Sequence, residues 1–167
     1  KRPQQPSKSS PTQRSRTIFR VSGPYAPGVP GKTEMATILV VEDEFGITEV
    51  LQSALTDAGH NVVTAINGKQ GLELLKESGP ELVILDFMMP VLDGLGMLRA
   101  MRDDPEYRDI PAILMSSLPE SAVTESASGI YAGFLRKPFQ LREAVAMVNR
   151  VLNGGSPRSG EPVRSPT

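Results

Sequence analysis

The chain has 167 residues, with 18 Lys and Arg against 19 Asp and Glu, and it contains no cysteine and no tryptophan. This length suits one ordinary domain, and the absence of cysteine excludes a disulfide framework and any metal site built on thiolates. No apolar run reaches the ~18–20 residues of a membrane-spanning helix, and the N-terminus lacks the apolar core of a signal peptide. We therefore expect a soluble cytoplasmic protein that does not associate with membranes.

The formal net charge of −1 hides an uneven distribution along the chain. Residues 1–34 contain seven Lys and Arg against one Glu, a balance of +6. Residues 35–153 contain nine Lys and Arg against 17 Asp and Glu, a balance of −8. The acidic residues are thus concentrated in the central segment, where the functional groups are to be sought.

The two ends of the chain show no helical or strand period. Residues 1–34 contain six prolines, and residues 154–167 are rich in Gly, Ser and Pro. Segments with so little apolar surface cannot offset the entropy lost on ordering. We predict a disordered basic, proline-rich segment over 1–35, one domain over 36–153 and a disordered tail over 154–167. The basic segment has no folded reader, so no specific nucleic-acid partner is predicted.

Short apolar runs alternate with helical periods between these ends. The runs cover 38–41, 62–65, 82–85, 112–115 and 131–135. Each is apolar on both faces, which is typical of parallel strands covered on both sides. Helical spacing of apolar residues covers 50–58, 72–75, 95–101, a weaker Ala- and Ser-rich stretch at 119–128, and 144–152.

This alternation predicts an α/β fold, a doubly wound (βα)5 domain with a parallel five-stranded sheet. Right-handed crossovers favour the flavodoxin-like strand order 2-1-3-4-5. Two polar residues are assigned to turns on local grounds: Asp93 to a turn or helix N-cap, and His60, which follows Gly59, to a surface turn.

Charged and hydroxyl side chains stand at the carboxyl ends of four predicted strands, where open α/β sheets place their ligands. In chain order they are Glu42, Asp43, Glu44, Asp86, Ser116, Ser117 and Lys137. Clustered carboxylates repel one another unless a cation is bound, and oxygen ligands suit Mg²⁺. A carboxylate beside Mg²⁺ can act as a nucleophile toward phosphorus, with a Lys and a hydroxyl stabilising the transferred group.

Four motifs in this order resemble the receiver domain of two-component response regulators. They are ILVVEDE at 38–44, LDFMMPVLDG at 85–94, AILMSS at 112–117 and FLRKPF at 134–139, and the resemblance covers about residues 36–153. It implies that Asp86 accepts a phosphoryl group. Asp43 and Asp86 would be direct Mg²⁺ ligands, with Glu42 acting through water and the backbone carbonyl of Met88 completing the protein ligands.

The resemblance also implies roles for the later motifs. Ser116 would hydrogen-bond the phosphoryl group, Lys137 would pair with it, and Phe134 would be the aromatic switch residue. A cis peptide bond before Pro138 would aim Lys137 inward. Two positions flanking the pocket, Met88 and Leu118, are apolar, which we expect to slow autodephosphorylation.

The function expected from the resemblance is a phosphorylation-switched signalling receiver that uses Mg²⁺. It would catalyse only its own phosphotransfer and autodephosphorylation, and so would not be an enzyme acting on other substrates. The expected phosphodonor is a histidine kinase or a histidine phosphotransfer protein. Output is expected through an unidentified protein partner, because no output domain is recognised after residue 153. Whether the chain forms a homodimer is left open.

Two other function classes stay open at this point. An aspartyl-phosphate phosphatase of the haloacid dehalogenase type also uses Asp, Lys and Mg²⁺, but it requires a second Asp where this chain has Met88. A receiver-like binding module that never becomes phosphorylated is the other, although Asp43, Asp86, Ser116 and Lys137 form a complete set for phosphotransfer.

Overall fold

Five strands and five helices alternate along the part of the chain that the structure, a computed structural model, describes: residues 35–127 and 129–154. The elements are β1 (Thr37–Val41), α1 (Phe45–Asp57), β2 (Asn61–Ala65), α2 (Gly68–Ser78), β3 (Leu82–Asp86), α3 (Gly94–Asp103), β4 (Ala112–Ser116), α4 (Glu120–Ala127), β5 (Gly133–Arg136) and α5 (Leu141–Leu152). The segments predicted to be disordered, 1–35 and 154–167, lie almost entirely outside the described residues.

The strands form one parallel sheet in the order β2-β1-β3-β4-β5, which confirms the predicted fold. The register aligns Val41 with Leu85, and Asp86 with Met115. The carboxyl ends of β1, β3 and β4 therefore finish at nearly the same level. Residues that follow these ends meet at one edge of the sheet.

Two apolar layers sandwich the sheet because strand side chains alternate between its faces. On one face, strand residues such as Leu39 and Leu85 pack against α2, α3 and α4. On the other, residues such as Ile38 and Ile84 pack against α1 and α5. Every residue of β3 is buried, which explains why the apolar runs lack alternation.

Side-chain N-caps define the starts of two helices, and the one at Asp93 was predicted. The side chain of Asp93 accepts a hydrogen bond of 2.7 Å from the Gly96 amide, so Asp93 is the N-cap of α3. Asn67 caps α2 in the same way through Gln70. No helix in the described ranges is long and apolar enough to span a membrane.

The prediction for His60 was wrong. Its side chain is buried, 3% exposed, and its Nε2 lies 3.3 Å from Oδ1 of Asn149 on α5. Gly59 does turn the chain there, with φ of 93°, and it is exposed, but the side chain of His60 turns inward against α5. A glycine in a sequence signals a turn without saying which side of the turn another helix will cover.

The fifth strand is shorter than its apolar run. It begins at Gly133, whereas the run began at Tyr131. Ala132 still donates to the carbonyl of Ala112 at 2.7 Å, so the chain approaches the sheet before regular pairing starts. Tyr131 lies just outside the strand, facing the α4 side of the sheet.

Candidate functional site

Three carboxylates meet at the carboxyl edge of the sheet. Glu42 and Asp43 follow β1 directly, and Asp86 is the last residue of β3. Oxygen atoms of the three side chains all lie within 4.8 Å of one another. Glu42 and Asp86 are buried and Asp43 is exposed, so the cluster opens toward solvent on the Asp43 side. The structure thus brings together the three acids proposed from the sequence.

One ammonium group binds two of these carboxylates. The Nζ atom of Lys137 lies 2.6 Å from Oε2 of Glu42 and 2.9 Å from Oδ1 of Asp86. Lys137 follows β5 directly, its amide donates to the Ser116 carbonyl at 2.8 Å, and its peptide bond to Pro138 is cis. Glu42 therefore holds Lys137 directly over Asp86, a contact that the sequence motifs did not suggest.

The electrostatics of the cluster are unbalanced. Burial raises the pKa of Glu42 and of Asp86 above their usual values, and hydrogen bonds from Lys137 offset this only in part. The charge of Asp43 raises the pKa of Asp86 further. Burial acts to lower the pKa of Lys137, but its bonds to Glu42 and Asp86 raise it overall. One cation among three carboxylates leaves an excess of negative charge.

This donor set fits a divalent cation. Carboxylate oxygens are the hard ligands that Mg²⁺ and Ca²⁺ prefer, and a +2 charge would offset the excess left by Lys137. Within the described ranges this is the one cluster of three or more candidate ligands. Asp43, the most exposed of the three, is the natural contact for a hydrated ion. The residues present therefore fit the metal that the resemblance implies.

A cleft of about 440 Å³ surrounds the cluster. It is lined by Glu42, Asp43, Glu44, Asp86, Met88, Ser116, Ser117 and Lys137. Ser116, the last residue of β4, is buried, and its Oγ accepts a hydrogen bond of 3.0 Å from the Leu118 amide. Its hydroxyl proton stays available for a group bound in the cleft. Met88, whose carbonyl is the expected metal ligand, lies at the same cleft.

The predicted switch residue Phe134 lies on the α4 side of the sheet. It pairs in register with Leu114 and is half-buried. Its ring stands 6.5 Å from the ring of Tyr131, at an interplanar angle of 53°. The position is compatible with movement toward Ser116 on the neighbouring strand. No role was assigned to Tyr131 from the sequence.

Gly94 is a site residue that the sequence patterns did not reveal. A Cβ atom at this position would lie 2.1 Å from the carbonyl oxygen of Asp86 and 3.1 Å from Cα of Phe87. The Gly94 amide also donates to the Phe87 carbonyl at 3.2 Å. Glycine therefore lets α3 begin against the backbone of Asp86. Gly94 ends the motif LDFMMPVLDG, but nothing in the sequence pattern indicates this contact.

Comparisons with known proteins point to one family. A family model described as the response regulator receiver domain matches residues 38–149. The probable transcriptional regulator ycf27 of Porphyra purpurea is 37% identical over 134 residues, which cover 74% of this chain and 53% of the relative. Response regulator MprA of Mycobacterium sp. strain KMS is 36% identical over 126 residues, with the same two coverages. The chain thus spans about half the length of the curated relatives it matches.

A solved structure agrees with these relatives. Chemotaxis protein CheY4 of Vibrio cholerae is 27% identical and superposes with a TM-score of 0.67. The alignment covers 70% of this chain and 98% of that protein. The signal receiver domain of a histidine kinase from Syntrophus aciditrophicus gives a TM-score of 0.66 at 27% identity, covering 78% of this chain and 98% of that one.

Proposed function

Because the chain belongs to the family of response regulator receiver domains, we propose that it is a phosphorylation-switched receiver whose phosphoryl acceptor is Asp86. The family match over residues 38–149 confirms the resemblance seen in the motifs. The observation that carries the proposal is the single ammonium of Lys137, 2.9 Å from Asp86 within a cluster of three carboxylates. Such a cluster is suited to a cation and to a charged, oxygen-rich group.

The proposed chemistry is nucleophilic transfer to a carboxylate. An Oδ atom of Asp86 forms a bond to phosphorus while the bond between phosphorus and the donor breaks, giving an acyl phosphate. Mg²⁺ would supply neutralisation of the phosphoryl oxygens. Lys137 would contribute a second positive charge, and the Ser116 hydroxyl would donate a hydrogen bond to a phosphoryl oxygen. Glu42 positions Lys137 through their 2.6 Å contact.

A protein phosphodonor is supported by the apolar surface around the cleft. Among the residues that the structure describes, eight large apolar side chains are exposed. All but Met35 lie near the carboxyl edge of the sheet, either in the loops that follow the strands or in the first two turns of the next helix. These seven are Phe45, Val50, Ile66, Met88, Val91, Leu118 and Leu141. Exposed apolar residues concentrated on one surface mark protein contacts. A histidine kinase or histidine phosphotransfer protein docking here would reach Asp86.

Labelling with a small phosphodonor tests the acceptor. The full chain is incubated with Mg²⁺ and acetyl phosphate, and the intact mass is measured. We expect one phosphoryl group per chain, absent in Asp86→Asn. Asp93→Asn is the matched control, because it makes the same substitution at the other end of the connection from β3 to α3, and Asn also serves as an N-cap. An adduct retained in Asp86→Asn, or lost in Asp93→Asn, would contradict the assignment of Asp86.

Calorimetric titration with Mg²⁺ tests the metal site separately. Asp43→Asn removes a carboxylate charge from the cluster, and Glu44→Gln removes a charge from the exposed residue beside it. We expect Asp43→Asn to weaken Mg²⁺ binding at least about tenfold, because loss of a residue that only supports a metal ligand already costs about 10- to 100-fold. Glu44→Gln should change it by much less. Equal effects would indicate general attraction by an acidic surface.

The same labelling separates the other function classes. Sustained release of phosphate from small esters would favour a phosphatase, but the acid/base Asp of that class is replaced here by Met88. No adduct with any donor would favour a binding module that is never phosphorylated. The expected cytoplasmic location, the output through a protein partner and the restriction of catalysis to the chain's own phosphorylation stay predictions.

A further inference from the structure

The side chain of Tyr131 joins the segment before β5 to the first turn of α4. Its hydroxyl donates to Oε1 of Glu120 at 3.2 Å and lies 2.9 Å from Oγ1 of Thr124. Because the phenol has one proton and directs it at Glu120, the Thr124 hydroxyl is the donor in the second bond. Glu120 is the first residue of α4, and Thr124 lies one turn further along. One hydroxyl group therefore bridges two positions on the same helix face.

The backbone around Tyr131 is held in place on both sides. The Nε atom of Arg102, on α3, donates to the Ile130 carbonyl at 2.9 Å. The Ala132 amide donates to the carbonyl of Ala112 on β4 at 2.7 Å. Hydrogen bonds on both sides of Tyr131 thus fix the backbone to α3 and to the sheet. The two side-chain bonds of Tyr131 restrain α4 relative to these anchored elements.

Helix α4 packs on the core through one residue of its first turn, Val123. It is eight residues long, and its buried residues are Val123 and Ala127. It begins four residues after Ser116, and the Ser116 hydroxyl is bonded to the Leu118 amide within the connecting loop. A movement of the Ser116 side chain toward a phosphoryl group would break that bond or draw the loop with it. The first turn of α4 is the next element along the chain.

The ring of Tyr131 also lies beside the expected switch residue. Phe134 has no hydroxyl, so it cannot form a polar link to α4 in either packing. Tyr131, three residues earlier, has the hydroxyl and contacts the Phe134 ring at a centroid distance of 6.5 Å. A displacement of Phe134 toward β4 would remove the support on which the Tyr131 ring packs.

We propose that Tyr131 is a positioning residue that holds the first turn of α4 through Glu120 and Thr124 in the unphosphorylated receiver. It releases the helix when Asp86 is phosphorylated. The inference rests on the proposed function and adds a control element to it. Under this proposal the bonds form only in the unphosphorylated packing, so removing them raises the population of the alternative packing. Loss of one neutral hydrogen bond changes the population ratio of the two packings by about 3- to 10-fold.

Hydrogen exchange of the full chain, without metal or phosphodonor, tests the restraint. Tyr131→Phe and Thr124→Val each remove a hydroxyl while nearly keeping side-chain volume. We expect the amides of residues 120–127 to exchange about 3- to 10-fold faster in either variant. Tyr131→Phe removes both bonds of the link and Thr124→Val removes one of them, so the double variant should show little increase beyond that of Tyr131→Phe. Tyr107→Phe is the matched control: Tyr107 belongs to the same apolar cluster but precedes β4. It should leave α4 exchange unchanged.

Binding of beryllofluoride, a phosphoryl analogue, in the presence of Mg²⁺ tests the coupling to Asp86. If release of α4 accompanies phosphorylation, Tyr131→Phe and Thr124→Val should bind the analogue more tightly, by up to the same factor. A residue that only stabilised the fold would leave this affinity unchanged or weaken it. Tyr107→Phe should bind as the unmodified chain does.

The two measurements fail in distinguishable ways. Unchanged α4 exchange in Thr124→Val and Tyr131→Phe would overturn the restraint, and so would an equal increase in Tyr107→Phe. Faster exchange without tighter analogue binding would overturn the coupling. If the unmodified chain neither binds the analogue nor becomes labelled, the proposed function fails. The exchange result on the metal-free chain still decides whether Tyr131 restrains α4. Should Tyr131→Phe unfold the chain, Thr124→Val carries the test.

Discussion

Replacement of Gly94 by alanine should disturb the acceptor site through backbone sterics alone. The added Cβ would lie 2.1 Å from the Asp86 carbonyl oxygen and 2.9 Å from its carbonyl carbon. Ordinary contacts of a Cβ atom begin near 3.4 Å, so the start of α3 or the end of β3 must move by more than about 1 Å. Both obstructing atoms are backbone, and no side-chain rotation relieves the overlap. Overpacking of this kind costs about 1–3 kcal/mol.

Gly46→Ala is the matched control for this substitution. Gly46 lies in the first turn of α1, beside the same edge of the sheet, and a Cβ atom there would have nothing within 4 Å. Alanine in a helix is more stable than glycine by roughly 0.5–1 kcal/mol, so the control should become slightly more stable. Urea unfolding of both variants measures the difference. Labelling of Asp86 with acetyl phosphate should slow by about 10- to 100-fold in Gly94→Ala, because a misplacement near 1 Å can cost that much.

One outcome would refute the steric reasoning. If Gly94→Ala unfolded at the same urea concentration as Gly46→Ala and became labelled at the normal rate, the close approach of α3 to Asp86 would have no energetic weight. If Gly94→Ala lost stability but became labelled at the normal rate, the effect on the fold would be separated from the effect on the acceptor. Gly94 would then support the fold without positioning the acceptor.

Three further substitutions and one control probe the same structure, each by urea unfolding. Asp86→Asn should raise the midpoint of the metal-free chain, since it removes a buried charge that the adjacent carboxylates oppose. Arg102→Met should cost about 1–3 kcal/mol, because three backbone carbonyls lose their donor. Arg99→Met, which loses one exposed bond, should cost less than about 0.5 kcal/mol. Asn67→Ala should cost about 1 kcal/mol through the lost N-cap of α2. An unchanged midpoint for Arg102→Met would show that these carbonyls are satisfied by water.

The architecture and the identity of the site could be read from local patterns. Runs that are apolar on both faces occur where a parallel strand is covered on both sides, and their spacing leaves room for one helix each. The carboxyl ends of parallel strands meet at one edge of the sheet, so Asp43, Asp86 and Ser116 could be placed together from the predicted topology alone. Asp93 could be assigned to a turn or helix N-cap because capping depends on a contact three residues away in the chain. These features depend on near neighbours in the sequence or on the topology alone.

Other features depend on how the helices and loops pack, and the sequence carried no signal for them. The direct contact of Glu42 with Lys137 joins residues 95 positions apart. The burial of His60 depends on where α5 lies across the turn after α1. The backbone at the end of β3 occupies the space that a Cβ atom at Gly94 would need, and no pattern of side chains encodes that contact. The link from Tyr131 to α4 likewise needs the helix docked against the segment before β5. Periodicity predicts which elements form, whereas distances between atoms on different elements exist only after those elements have packed.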